Sequence, residues 1–145
     1  MKQMDRKEFL SLIGMSAGAF ALSRCLQACG KTTQSYPTPP TNVNMTLNLW
    51  EPANSALNTN GGYIYTGGLI IARTSAASYV AVSEYCTHQG TAVTFQANNT
   101  FYCPNHGSSF TANGAVLQGP ASIALVQYHV ALIPTTNGNT LHVYS

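Results

Sequence analysis

Two short segments of this 145-residue chain each combine one cysteine with one histidine. The first reads Cys86-Thr87-His88-Gln89-Gly90, and the second reads Cys103-Pro104-Asn105-His106-Gly107-Ser108. Thiolate sulfur and imidazole nitrogen are ligands that proteins offer to zinc and iron. Fourteen residues separate His88 from Cys103, which is enough for a hairpin that returns the chain alongside itself. The pattern predicts that the two segments meet and hold a metal.

Two simpler interpretations use the same side chains. A disulfide between Cys86 and Cys103 is the ordinary expectation for cysteines of an exported chain, but it leaves His88 and His106 unexplained. A mononuclear zinc site with two cysteines and two histidines is chemically reasonable, although C-x-H differs from the C-x₂₋₄-C spacing of zinc fingers.

The pair C-x-H-x-G and C-x-x-H-G-S resembles the signature of the Rieske [2Fe–2S] proteins. In a Rieske centre two cysteines bind one iron and two histidines bind the other. The resemblance implies one [2Fe–2S] cluster, with Cys86 and Cys103 on the inner iron. It places His88 and His106 on the outer iron, and Ser108 matches the serine that donates to a bridging sulfide.

The sequence departs from the respiratory members of that family at several positions. Thr91 and Asn105 stand where those members have an extra cysteine in each loop, so no disulfide joins the loops. Phe110 replaces a tyrosine that donates to a ligand sulfur, and fewer donors to sulfur lower a cluster's potential. We therefore expect a potential below the top of the Rieske range. Gln89 replaces an apolar residue that shields the cluster, which argues against quinol oxidation.

Short β-rich runs separated by turn residues must position these loops. The predicted strands are Met45–Trp50, Gly62–Thr66, Leu69–Thr74, Tyr79–Glu84, Thr91–Phe95, Thr100–Cys103, Gln127–Pro134 and Asn139–Tyr144. Ala97-Asn98-Asn99 and Thr136-Asn137-Gly138 are typical hairpin turns. No segment after residue 44 shows sustained helical periodicity, so we expect an all-β domain of roughly nine or ten strands. The resemblance, which runs from about Leu69 to Tyr144 and includes a proline loop at Gly119-Pro120-Ala121, implies a Rieske-type fold of stacked small antiparallel sheets with two cluster-binding hairpin loops.

The N-terminal residues resemble an export signal. An apolar run of about 15 residues, from Phe9 to Ser23, is shorter than the ~20 residues of a membrane-spanning helix. Asp5-Arg6-Lys7-Glu8-Phe9-Leu10 is similar to a twin-arginine signal with lysine in the second arginine position. Leu26-Gln27-Ala28-Cys29 is similar to a lipoprotein lipobox, which implies acylation of Cys29.

These features divide the chain into three parts. We predict a signal peptide over residues 1–28, a lipid-anchored, flexible, proline-rich tether over residues 29–44, and a Rieske domain over residues 45–145. An uncleaved membrane anchor and plain signal cleavage elsewhere are the alternatives. All of them place the domain outside the cytoplasm, on the periplasmic or cell-surface side of a bacterial membrane.

Charge is scarce in this chain. Charged residues make up 7% of it, against an average of about 25%. The charged residues of the first 24 positions sum to +2, and those beyond them, which are only Lys31, Glu51, Arg73 and Glu84, sum to zero. The formal charge of +2 therefore belongs to the N-terminal segment. Nucleic acid as a partner is excluded, because its binding requires a basic patch.

One-electron transfer is the function that these observations favour, with other redox proteins as partners. We expect the protein to act as a carrier or as the Rieske subunit of a larger redox complex. Competing possibilities are the ferredoxin of an aromatic-ring dioxygenase, which lacks an export segment, and the small subunit of an exported molybdenum oxidoreductase. From another class comes a cell-surface binding lipoprotein whose Cys₂His₂ metal site is only structural.

Overall fold

The computed structural model describes residues 36–136 and 138–145. The predicted signal peptide, the first part of the predicted tether and Cys29 lie outside the described residues. A 3₁₀ helix spans Pro52–Asn58. The strands are β1 (Asn44–Asn48), β2 (Tyr63–Thr66), β3 (Leu69–Arg73), β4 (Tyr79–Ser83), β5 (Thr94–Phe95), β6 (Phe101–Tyr102), β7 (Ser109–Phe110), β8 (Val116–Gln118), β9 (Gln127–Thr135) and β10 (Gly138–Tyr144).

The strands form two antiparallel sheets. The larger sheet has six strands in the order β1-β10-β9-β4-β3-β2, and the smaller has four in the order β5-β6-β7-β8. The predicted all-β fold with stacked small sheets is confirmed. None of the helical structure among the described residues has the length and apolar character that a bilayer crossing requires.

Strand β3 separates two hydrophobic cores. Alternate residues of a strand point to opposite faces of its sheet, and here both faces are buried. Ile70 and Ala72 pack into one core, together with the phenylalanines of the small sheet. Leu69 and Ile71 pack into the other core, which the 3₁₀ helix covers through Leu57. The apolar run of β3 therefore binds the small sheet to the rest of the domain.

The small sheet presents its three phenylalanine side chains inward. Phe95, Phe101 and Phe110 are buried, and the rings of Phe95 and Phe101 lie 5.1 Å apart. Cys86 and Cys103 belong to the same core. The two thiols therefore pack in the hydrophobic core that the three phenylalanines form.

The structure differs from the sequence prediction at short elements. Strands β7 and β8 were not predicted, because two or three residues are too few to show a period. Residues 91–93 of the predicted strand Thr91–Phe95 lie outside β5, and Ala92 makes only an isolated bridge to Tyr85. The 3₁₀ helix was also missed, since its seven residues are too short for a helical pattern.

The residues that precede β1 contact the folded domain. The Tyr128 hydroxyl donates to the Pro40 carbonyl oxygen at 2.7 Å. Val43 is buried, its N–H donates to Ser145 Oγ at 3.0 Å, and its carbonyl accepts from the Ser145 N–H at 3.1 Å. The predicted boundary between tether and domain, at residue 44, stays a prediction.

The Tyr128→Phe variant is expected to lose about 1 kcal/mol of unfolding free energy, because a typical intramolecular hydrogen bond contributes that much. Chemical denaturation at pH 7 measures this loss. Burial also raises the pKa of Tyr128, so the folded state favours the neutral phenol. In the wild-type protein the stability that comes from keeping the Tyr128 phenol neutral is present below pH ~10, and it is lost as the pH rises through the raised pKa.

The Tyr128→Phe variant should not show the loss of unfolding free energy at high pH that the ionisation of Tyr128 causes. Burial raises the pKa of Tyr65 to about 12, but Tyr65 is present in both proteins, so their difference isolates Tyr128. Equal unfolding free energies at pH 7 would show that the bond to Pro40 contributes nothing.

Candidate metal centre

Two loops of matching backbone geometry carry the predicted site residues. In the first loop, residues 86–91, the Cys86 N–H donates to the Thr91 carbonyl at 2.8 Å and the Gly90 N–H donates to the Cys86 carbonyl at 2.8 Å. In the second loop, residues 103–108, the same two bonds link Cys103 to Ser108 at 2.8 Å and Gly107 to Cys103 at 3.0 Å.

Each loop closes through a glycine four residues after its cysteine. Gly90 and Gly107 have φ angles of +69° and +78°, a region that glycine adopts without strain. The two backbones therefore follow one pattern, although the histidine comes two residues after Cys86 and three after Cys103. The two imidazoles therefore occupy different positions within loops of the same backbone pattern.

Both cysteines are buried and carry free thiols. Burial raises the pKa of Cys86, because a thiolate in this core loses its hydration, and the neighbouring Cys103 thiol raises it further. The backbone N–H of His88 and the Ser108 hydroxyl act in the opposite direction. The thiols lie within reach of each other without forming the disulfide that sequence reasoning had left open.

The two histidines lie at the rim of the site. The ring centroids of His88 and His106 are 4.8 Å apart, with the rings nearly perpendicular. His106 is exposed and His88 is half-buried. His88 Nδ1 is buried and has no hydrogen-bond partner, and such an atom costs free energy unless something binds it. An iron ion at this atom would satisfy it, so the donor set fits the cluster that the sequence predicts.

The four candidate ligands form one thiol pair and one imidazole pair. Each iron of a Rieske cluster takes two protein ligands, two cysteines on one iron and two histidines on the other, so the types of side chain present fit such a cluster.

Ser108 and the predicted proline loop close a third side. The fully buried Ser108 Oγ accepts from the Ala121 N–H at 2.9 Å. Gly119–Pro120 is a cis peptide bond. The Thr87 hydroxyl donates to the Ile123 carbonyl, a bond that sequence reasoning missed because no local pattern signals it. The proline loop is thereby bonded to the second metal-site loop, and Ile123, two residues after it, is bonded to the first.

His129 and His142 lie elsewhere. Both rings stack on Tyr144, at centroid distances of 5.1 and 4.9 Å, and His142 Nε2 is 2.8 Å from Asn44 Oδ1. Neither histidine belongs to the site.

The family described as "Rieske [2Fe-2S] domain" matches residues 52–129 of this chain. The cytochrome b6-f complex iron-sulfur subunit of Chlorobaculum tepidum is 30% identical over 132 residues, which cover 88% of this chain and 71% of that protein. The chloroplastic subunit of the same name from Pisum sativum is 39% identical over 62 residues, which cover 42% of this chain and 27% of that protein. The chain thus spans about a quarter to a third of the length of the plant and cyanobacterial relatives that it matches.

Two solved structures are similar to this chain. The cyanobacterial plasma membrane Rieske protein PetC3 from Synechocystis PCC 6803 is 30% identical, with a TM-score of 0.49 over 71% of this chain and 99% of that one. Naphthalene 1,2-dioxygenase is 18% identical, with a TM-score of 0.50 over 72% of this chain and 26% of that one. The second similarity concerns the fold alone.

Proposed function

The chain belongs to the Rieske [2Fe–2S] domain family, and from this premise we propose that it transfers single electrons through a cluster held by Cys86, His88, Cys103 and His106. The observation that carries the ligand assignment is the buried, unpartnered Nδ1 of His88 beside the His106 ring, in two loops whose cysteine thiols are free and buried. The relatives support the cluster, and this geometry supports the choice of side chains.

The types of ligand fit electron transfer at moderate potential. Two neutral imidazoles in place of two thiolates raise the potential of a [2Fe–2S] cluster to about −150 to +300 mV, against about −400 mV for plant-type clusters. The thiols lie in the core, whereas His106 is exposed. Electrons would therefore enter and leave at the imidazole side.

Burial of the thiols in the hydrophobic core affects how the site binds iron. Because burial raises the pKa of the Cys86 thiol, this thiol keeps its proton at neutral pH until iron displaces it. Metal binding at such a thiol releases a proton. Loading of the site is therefore expected to favour higher pH within the range in which the fold is stable.

We propose other redox proteins as partners, with the chain acting as a carrier or as a subunit of a membrane-associated complex. The relatives are named as subunits of the cytochrome b6-f complex and as a plasma membrane Rieske protein, which supports a location at a membrane. The finer proposal is that Cys29 carries a lipid anchor and that the domain faces the periplasm or cell exterior, as the lipobox-like residues 26–29 suggest. The alternative of a binding lipoprotein with a structural Cys₂His₂ metal site is not supported.

Electron paramagnetic resonance of the reduced protein tests the function. The dithionite-reduced full chain should give the signal of a mixed-valence iron pair, and analysis should find two irons and two acid-labile sulfides per chain. A protein that contains only zinc and gives no signal would overturn the proposal.

A further inference from the structure

The segment Tyr36–Pro40, here called the strap, runs from the start of β1 towards the first loop. Its C-terminal end is fixed by the hydrogen bond from Tyr128 to the Pro40 carbonyl. The Pro40 ring also lies over Gly68, with its Cδ 3.5 Å from the position that a Cβ on that glycine would take. Pro37, Pro39 and Pro40 restrict φ along the strap, so its path is stiff.

The N-terminal end of the strap covers the first loop. A Cβ built on Gly90 would lie 3.0 Å from Tyr36 Cδ1 and 3.1 Å from Pro37 Cδ. Those distances are shorter than ordinary van der Waals contact, so a side chain at this position would have to displace the strap by a few tenths of an ångström. Among residues 36–136 and 138–145, nothing covers the second loop in this way, since the nearest atom to a Cβ on Gly107 is the Tyr102 hydroxyl oxygen at 4.0 Å.

This difference in packing between the first and second loops matters because the two loops have the same internal hydrogen bonds. Each relies on one bond from its cysteine N–H and one from its glycine N–H. Thr91 and Asn105 provide no covalent bond between the loops. Packing from outside therefore helps to hold the first loop in shape, and Tyr36 and Pro37 pack on it at Gly90, in addition to the hydrogen bond from Thr87 to Ile123.

We infer that Tyr36 and Pro37 are positioning residues for the cluster, which hold the first loop, and with it Cys86 and His88, in the conformation that binds iron. This inference rests on the proposed cluster site. It gives the residues before β1 a function in the redox centre besides connecting the domain to its anchor. A disturbance of the strap would reach the first loop before the second.

Hydrogen exchange on the full-length double variant Tyr36→Ala/Pro37→Ala tests the inference. The Cys86 and Gly90 amides should exchange about three- to tenfold faster than in the wild type, whereas the equivalent Cys103 and Gly107 amides should change little, because local opening depends on local packing. The half-time of cluster loss, followed by visible absorption, should shorten by a similar factor.

The Tyr144→Ala variant is the matched control, because Tyr144 and Tyr36 have similar exposures of 38% and 39% and Tyr144 stacks on histidines outside the site. It should leave exchange in both loops unchanged. Equal acceleration of both loops in the strap variant, or none in either, would overturn the inference. Exchange can be followed in metal-free protein too, so absence of a cluster from the wild type would count against the proposed function and not against the strap.

Discussion

The variants Cys86→Ser and His106→Ala are expected to be isolated without a [2Fe–2S] cluster. A serine hydroxyl is a harder and less acidic donor than a thiol, and an alanine leaves the outer iron short of one ligand. Because the loss of an outer partner alone costs about 10- to 100-fold in metal affinity, the loss of a direct ligand should cost more. Iron content, visible absorption and the paramagnetic signal of the reduced protein should all fall below about a tenth of the wild-type values.

Two matched variants control for the chemistry of these substitutions. His129→Ala removes an imidazole that stacks on Tyr144 away from the site, and Cys25→Ser removes a thiol of the N-terminal segment. Both should retain full iron content. A His106→Ala protein that keeps its cluster would assign the fourth ligand to another residue.

The Ser108→Ala variant is expected to keep its cluster but to have a lower reduction potential. The Ala121 N–H occupies an acceptor site of the Ser108 oxygen, so the hydroxyl proton is free to point towards sulfur, and the Cys86 thiol lies within its reach. Reduction adds a negative charge that a donor to sulfur stabilises. The decrease should be about 60–130 mV, since a hydrogen bond to a charged group is worth about 1.5–3 kcal/mol and 59 mV corresponds to about 1.4 kcal/mol for one electron.

Ser109→Ala provides the control, because Ser109 is adjacent in sequence but half-buried, unlike the fully buried Ser108. Its potential should stay within about 20 mV of the wild type, as expected for a change that touches no ligand. A redox titration in the presence of mediators measures all three proteins. If Ser108→Ala and Ser109→Ala shift equally, donation from Ser108 to sulfur does not set the potential.

The main features of the site could be predicted from the sequence because they depend on local patterns. The cysteines, histidines and glycines recur at short, fixed spacings, and an extended apolar run such as Leu69–Arg73 identifies a buried strand. Ten strands are observed, against the roughly nine or ten expected, and eight of them correspond to runs that the sequence identified. Two-residue strands such as Ser109–Phe110 have no period to detect, and only their partners define them.

Contacts between distant residues could not be predicted. The Pro-rich composition around Pro37 is typical of an extended linker, and nothing local indicates that Tyr36 packs on Gly90, more than fifty residues later. The unpartnered Nδ1 of His88 likewise depends on how two loops meet in space. Such features follow from the tertiary fold and not from propensity.

The position of β3 between two cores has a consequence for how the molecule melts. Strand β3 contributes side chains to both hydrophobic cores, so neither core can unfold without disrupting the other. Heat should therefore unfold both cores in a single cooperative transition. Metal bound at one end stabilises whatever unfolds together with it. Metal binding should therefore raise the unfolding temperature of the residues around the 3₁₀ helix as well, although none of the proposed metal ligands lies near them in sequence.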